Sequence, residues 1–311
     1  MSKTAVLLLN MGGPDSLDAI EPFLYNLFSD HDIIQIPRLI QKPLAKIISK
    51  TRSKKVKKYY EAIGGKSPQK EQTIEQAKAL QNELGEDFIV EVAMRYWHPF
   101  TEDALKKLLK HNVKKIILLP LYPQYSTTTT GSSINEFNRI YKNLNLKIPV
   151  KIIKSYYNYP KYIEAMVSNI KENLPNYEEY YFLFSAHSLP EKVIKKGDPY
   201  QRETEVSVRE IMKYFPKNKY SLAYQSKIGP VKWLEPMTDE KIVELANKGI
   251  KKLAIIPISF VSEHTETLYE LDIQYRELAN EVGIKDFKRI PTLKTHPKFI
   301  QAIKSLVLEN I

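Results

Sequence analysis

The chain has 311 residues, enough for two domains or one large α/β unit, and its 43% hydrophobic and 27% charged content is that of a globular protein. It contains no cysteine, which excludes disulfides, thiolate metal sites and cysteine-ligated iron–sulfur clusters and fits a reducing compartment. Its 47 basic and 36 acidic residues leave a net charge of +11, which suits nucleic acid, anionic lipid or an acidic small molecule; without zinc-finger spacing or an RNA-binding signature, no nucleic-acid partner is expected.

Met1-Ser-Lys-Thr leads straight into an apolar run at 5–9, with no signal-peptide pattern, and no apolar stretch is long enough to span a bilayer. The expected location is cytoplasmic. Asn10-Met11-Gly12-Gly13-Pro14 follows. It looks like a dinucleotide turn, but the G-x-G-x-x-G spacing is absent and Pro14 removes a donor. The segment 33–58 then mixes Ile33, Ile34, Ile36, Leu39, Ile40, Leu44, Ile47 and Ile48 with Lys42, Lys46, Lys50, Arg52, Lys54, Lys55, Lys57 and Lys58. That pattern predicts an amphipathic helix with a solvated basic face, or a mobile lip that touches a membrane surface or an acidic apolar ligand. Gly64-Gly-Lys-Ser67 resembles the end of a P-loop, but Tyr60 stands where the leading glycine belongs and no strand precedes it.

Further β-rich runs fall at 88–94, 115–121, 150–154, 180–186, 221–224, 253–260 and 287–290, and helix-length amphipathic segments, such as 73–84, 102–111, 203–214 and 239–248, separate them. Near-continuous apolar strands alternating with helices predict parallel sheets covered on both faces. The order also repeats. Pro99, Thr101, Lys114-Lys115 and Pro120 are matched, all at one constant offset, by Pro236, Thr238, Lys251-Lys252 and Pro257. The expected fold is therefore α/β with two similar lobes facing each other across a cleft, the junction near 143–149: an N-terminal lobe 1–148 that includes the lip at about 33–58, and a C-terminal lobe 149–311.

Two of the six histidines lie just beyond apolar strand runs, His187 after the fifth and His264 after the seventh, and Glu266 is the next residue but one after His264. Ligands of open α/β sheets bind beyond the carboxyl ends of the strands. Two imidazoles and a carboxylate there can bind a divalent metal, move protons, or do both. An extended chain would put His264 and Glu266 on one face; a helix beginning near Thr265 would separate them and leave Glu266 favourable at its N-terminus. At the offset of the repeat His264 is matched by Thr127 and Glu266 by Thr129, and aligning the first strands of the two halves sets Met11 opposite His187. One wall would titrate and the other would not, which suits a flat ligand reacting on one face. Arg95 and Lys232, near the aromatic residues Tyr96, Trp97 and Trp233, are candidates to meet acidic groups on such a ligand.

Taken together, Leu9-Asn-Met-Gly-Gly-Pro14, Ile63-Gly-Gly-Lys-Ser-Pro68, Met94-Arg-Tyr96 with His98-Pro99, Leu121-Tyr-Pro-Gln-Tyr-Ser126, Ser185-Ala-His-Ser-Leu-Pro190, Gly197-Asp-Pro-Tyr200, Gln225-Ser-Lys and His264-Thr-Glu-Thr-Leu-Tyr269 resemble the ferrochelatase family over nearly the whole chain. The resemblance implies two Rossmann-like lobes, each a parallel sheet flanked by helices, and insertion of Fe²⁺ into protoporphyrin IX to give protohaem with release of two protons, the last step of haem biosynthesis. It implies His187, Glu266 and His264 as catalytic residues, with His187 and Glu266 also candidate metal ligands. Met11, Arg95, Tyr96, Tyr125, Ser126, Trp233 and Phe260 are implied as porphyrin-binding residues. Segment 33–58 is implied as a lip with peripheral membrane contact. Iron is expected as substrate, with no tightly bound cofactor and no iron–sulfur cluster. Members that use coproporphyrin tend to carry Tyr where this chain has Met11, which favours protoporphyrin. A coproporphyrin ferrochelatase, a cobalt chelatase of an earlier tetrapyrrole and a non-catalytic haem carrier are the alternatives.

Overall fold

The structure is a computed structural model that describes residues 2–311. The chain forms two compact units, one running to Ser155 together with Ile300–Ile311, the other Tyr156–Phe299. The expected boundary lies at 148/149, with all that follows in the second lobe; compactness divides the chain after Ser155 and groups Ile300–Ile311 with the first unit.

The first unit is built on β1 (Lys3–Asn10), β2 (Phe88–Met94), β3 (Val113–Pro120) and β4 (Val150–Ile152), all parallel in the order β2-β1-β3-β4. Ala5, Val6, Leu7, Leu8 and Leu9 on β1 are all fully buried, side chains on both faces included. That is why the run is continuously apolar and does not alternate. The second unit holds β5 (Tyr181–His187), β6 (Tyr220–Gln225), β7 (Lys252–Pro257) and β8 (Asp286–Arg289), again parallel, in the order β6-β5-β7-β8. The two orders are the same once the strands of each unit are numbered from its first.

The internal repeat extends to single hydrogen bonds. The Met94 N–H donates to Pro99 O at 2.7 Å and the Tyr224 N–H to Pro236 O at 2.9 Å. Phe100 and Met237 then pair in parallel with Met94 and Tyr224, and helices start at Thr101 and Thr238. Each unit also has a π-helical stretch after its third strand, Thr127–Gly131 in the first and Glu266–Gln274 in the second. Such wide turns are uncommon and concentrate at functional sites.

Two expectations are corrected in detail. The strand predicted over 253–260 stops at Pro257, because proline has no N–H for the ladder; Ile258 restores one bond, to Ser185 O at 3.1 Å, before the chain leaves the sheet. The lip's helix runs Arg38–Ala62; its lysines are solvated as expected, but its apolar residues are not confined to the inner face. Gln41, Ala45 and Ser49 are buried, whereas Leu39 is 92% exposed, Ile47 62% and Ile40 54%. The Gly64-Gly-Lys-Ser67 loop proves to be this helix's exit: Gly64 and Gly65 have φ of 98° and 86°, and Gly65 N–H closes on Tyr60 O at 2.7 Å. The left-handed conformation explains the glycine pair without a phosphate.

Candidate active site

In the second unit the ends of β5, β6 and β7 bring three of the predicted residues together. His187 closes β5, paired with Gln225 at the end of β6. Its Nδ1 lies 2.7 Å from Ser188 O. A carbonyl oxygen only accepts, so Nδ1 carries the proton, and in the neutral ring Nε2 is left as a bare acceptor. The His187 carbonyl accepts from Tyr200 Oη at 2.8 Å, and Tyr200 Oη is 2.6 Å from Ser259 Oγ. Because the tyrosine has one proton and gives it to the carbonyl, Ser259 is the donor in the second bond. Burial pushes the Tyr200 hydroxyl well above its usual range, so it stays a donor.

The helix beyond β7 begins at Thr265, whose φ and ψ are −58° and −38°, so the strand-like alternation of His264 and Glu266 does not occur. The two side chains still approach, His264 Nδ1 standing 3.9 Å from Glu266 Oε2. The turn is held locally: His264 N–H donates to Thr267 Oγ1 at 2.9 Å, while His264 O accepts the Thr267 hydroxyl at 3.1 Å and the Leu268 N–H at 2.9 Å. The His264 ring is buried. Burial lowers its pKa to about 4, against a smaller upward pull from Glu266, and His187 adds to the lowering. At neutral pH it is an uncharged imidazole. The Phe260 ring lies against both histidines, 6.4 Å from His187 and 4.9 Å from His264 between ring centroids.

A second layer fixes these groups. Gln225 Oε1 accepts from Ser185 Oγ at 2.6 Å, which points its amide NH₂ at Glu266 O, 3.2 Å away, and at Glu270 Oε2, 3.3 Å away. Glu270 also accepts the Ser226 N–H at 2.9 Å, the Ser226 hydroxyl, and the Tyr275 hydroxyl at 2.8 Å. Next to His264, the buried Glu263 carboxylate is gripped by Arg289 Nη1 at 3.0 and 3.1 Å and by the Thr292 N–H at 3.1 Å. Sequence reasoning named none of Gln225, Glu263, Glu270 or Tyr200 as functional. Glu270 could have been found as the residue about one turn after Glu266 on the same helix. Gln225 falls in the Gln225-Ser-Lys segment that carries the resemblance, but only sheet register puts it beside His187. Among the described residues no three His, Asp or Glu side chains stand together as a metal-binding group.

The remaining predicted residues are distributed as follows. Trp233 pairs with Pro190, just beyond His187 in the chain, and its Nε1 donates to Ile228 O at 3.1 Å. In the first unit Met11 follows β1; its N–H donates to Asn10 Oδ1 at 2.9 Å. Gly12, at φ 83°, allows the chain to turn there, where a Cβ would stand 3.1 Å from Met94 Cβ. Arg95 and Tyr96 leave β2 together, the guanidinium lying over the Tyr96 ring at 4.9 Å. Arg95 is partly exposed, but Tyr96 is only 2% exposed, which makes it a support for Arg95 more than a surface for a ligand. Ser126 caps the first π-turn, its Oγ accepting the Thr128 N–H at 3.1 Å, and the half-buried Tyr125 precedes it.

Residues 3–311 match the family model described as ferrochelatase. The chain is 62% identical to a ferrochelatase of Sulfurihydrogenibium sp. (strain YO3AOP1), with 99% of this chain and 98% of that one covered. It is 60% identical to a ferrochelatase of Aquifex aeolicus (strain VF5), with 99% and 100% covered. Among solved structures it is similar in fold to SirB from Bacillus subtilis with Fe³⁺, at a TM-score of 0.63 and 11% identity, with 99% and 95% covered. CbiX, the terminal enzyme for biosynthesis of sirohaem in denitrifying bacteria, gives a TM-score of 0.56 at 11% identity, with 98% and 99% covered.

Proposed function

The chain belongs to the ferrochelatase family, and from that premise we propose that it inserts Fe²⁺ into protoporphyrin IX with His187 and Glu266 at the centre of the reaction and His264 beside them. Synthesis of haem by iron insertion is the activity of the family, and the chain is an enzyme of that kind. The observation that supports the residue roles is the tautomer of His187. With Nδ1 committed to Ser188 O, Nε2 is the atom that accepts.

Metallation removes two pyrrole protons from the macrocycle and strips water from the ion. The pyrrole nitrogens lie in a flat ring, so binding energy from the rest of the macrocycle is best used to hold it bent toward its metallated shape. His187 Nε2 takes the pyrrole proton as general base. Glu266, with its side chain 28% exposed, passes that proton outward and offers an oxygen to the incoming iron. His264, neutral because it is buried, adds no positive charge against an approaching cation. Two protons leave as Fe²⁺ enters, so the charge balances. Imidazole and carboxylate accept Fe²⁺, Co²⁺ and Zn²⁺ alike, so the metal is selected by more than these ligands. Met11 supports protoporphyrin as the porphyrin, and Arg95, Tyr125, Ser126, Trp233 and Phe260 are the proposed contacts, with Tyr96 behind Arg95. We propose no resident cofactor, and iron as substrate only.

An anaerobic assay comparing protoporphyrin IX with coproporphyrin III, each with Fe²⁺ and Co²⁺, tests the assignment. The expected kcat/KM is highest for protoporphyrin IX with Fe²⁺, by about tenfold or more over coproporphyrin III, equivalent to roughly 1.4 kcal/mol in the transition state. A reversed ratio makes the porphyrin coproporphyrin III; haem binding without multiple turnover makes the protein a carrier.

The lip belongs to the same reading. Lys42, Lys46, Lys50, Lys54, Lys55, Lys57 and Lys58 are all exposed next to the outward-facing Leu39, Ile40 and Ile47. No helix of the described residues is long and apolar enough to cross a membrane. We propose a cytoplasmic enzyme whose lip steers the dianionic porphyrin and rests on lipid. Neutralising Lys54, Lys55, Lys57 and Lys58 together should raise the porphyrin KM and flatten its salt dependence with kcat little changed, since exposed charges act over about 10 Å at 0.1 M salt. Wild-type KM and salt dependence in that variant would reduce these lysines to a solvated helix face.

A further inference from the structure

One buried carboxylate of the first unit lies outside the roles assigned so far. Asp30 follows the helix Ile20–Phe28 and precedes the lip helix Arg38–Ala62. It is 6% exposed. Its Oδ1 accepts the Asp32 N–H at 2.9 Å, and its backbone O accepts the N–H groups of Ile33 and Ile34 at 3.2 and 3.0 Å, so it closes the turn that starts the lip. Its Oδ2 faces the other way and accepts three bonds: Arg95 Nη2 at 2.9 Å, Tyr96 Oη at 2.6 Å and the Ser132 hydroxyl. Arg95 Nε in turn donates to Ser132 Oγ at 2.8 Å. Arg95, Ser132 and Asp30 thus form a closed triangle, with Tyr96 packed beneath the guanidinium.

The consequences for Arg95 are geometric and electrostatic. With Nε and one N–H of Nη2 held, the planar fork has one orientation, and the N–H groups of Nη1 and the second N–H of Nη2 are the ones that Ser132 and Asp30 do not engage. The Arg95 charge is matched within 2.9 Å by a carboxylate whose side chain is 4% exposed. A bare arginine would attract any porphyrin carboxylate; a paired one offers directed N–H groups with little net field. Tyr96 stays a neutral donor to Asp30, because burial together with the Asp30 charge raises its hydroxyl pKa far above the usual range.

We infer that Asp30 is a positioning residue for iron insertion: by binding Arg95, Tyr96 and Ser132 through one oxygen it aims the remaining Arg95 N–H groups at the macrocycle and cancels the arginine's charge, so that Arg95 orients the porphyrin and does not anchor one of its carboxylates. This rests on the reading of Arg95 as a porphyrin contact. Nothing in the sequence marks Asp30, whose three partners on Oδ2 all lie on segments remote from it in the chain.

The test is steady-state kinetics with protoporphyrin IX and Fe²⁺ on Asp30→Asn, Arg95→Met and the double variant, at a temperature where circular dichroism shows each folded. Asp30→Asn keeps the shape but turns an amide donor toward donors and uncovers the arginine charge. The expected result is kcat, taken per folded molecule, lowered about tenfold or more with porphyrin KM unchanged or lower; loss of folded enzyme would lower apparent kcat at unchanged KM in both backgrounds alike, so the comparison with the Arg95→Met background separates the two. In the Arg95→Met background the same change should cost less than about twofold, because Asp30 acts through Arg95. Equal losses in both backgrounds, or wild-type kcat in Asp30→Asn while Arg95→Met is slow, overturn the inference alone. Wild-type kinetics in Arg95→Met removes the contact on which it rests and overturns both. If Asp30→Asn does not fold, Asp30→Glu, which keeps the charge and shifts the oxygen by one methylene, should lower kcat with KM unchanged; wild-type kcat there is the contrary result.

Discussion

His187→Ala is expected to abolish iron insertion while leaving porphyrin affinity within about tenfold of wild type, because the loss falls on proton transfer and not on ground-state contact. The structure makes this substitution unusually clean. The bond from Tyr200 ends on the backbone carbonyl of residue 187, so it survives. Ser188 is buried and separately tied, its Oγ donating to Leu234 O at 3.1 Å. Of the interactions described for His187, alanine removes the bond of Nδ1 to Ser188 O and the edge contact with Phe260. The measurement is single-turnover haem formation alongside porphyrin binding by fluorescence; near-normal turnover would take His187 out of the mechanism.

Glu266→Gln should lower turnover by about 100-fold or more, in the range for loss of a general acid–base group. Thr129→Val, the matched position in the first unit, should stay within about tenfold of wild type. The comparison separates chemistry from capping. Glu266 opens the π-helix Glu266–Gln274, and a carboxylate at a helix start is worth about 0.3–1 kcal/mol of stability. If capping were its whole contribution, Gln would shift the melting temperature slightly and leave kcat near wild type. The amide preserves the backbone bond from Gln225 to Glu266 O, so the local turn stays in place. Comparable losses at Glu266 and Thr129 would defeat the assignment of the chemistry to the second unit.

The two histidines were legible because each follows a buried strand run, and residues at such exits are set by sheet topology more than by local detail. Glu266 was legible by spacing, but the reason it lies near His264 was not. Alternation along a strand would have brought them together, whereas the structure does so with a helix start at Thr265 and the Thr267 hydroxyl cap. Asp30, Glu263 and Glu270 were silent, and Gln225 stood in the Gln225-Ser-Lys segment of the resemblance with no role attached. Each is an ordinary polar residue in sequence and acquires its meaning from a partner on another element. The lip shows the opposite limit: its mixed apolar and basic composition predicted a helix correctly, but not that Gln41, Ala45 and Ser49 would face inward.

The sequence by itself determined the alternation of strands and helices, the duplication at a constant offset and the family, because burial on both faces of a parallel strand demands an unbroken apolar run and because the motifs of the resemblance stand in order along nearly the whole chain. Tertiary structure alone decided which polar groups meet. The His187 tautomer is set by the carbonyl of the residue that follows it, the neutral state of His264 by the apolar surroundings that desolvate it, and the aim of Arg95 by the carboxylate of Asp30, far from it in the chain. Hydrogen bonds and pKa shifts depend on distances of a few ångströms between elements remote in the chain, and a pattern of residue types carries no information about those distances until the sheets are assembled.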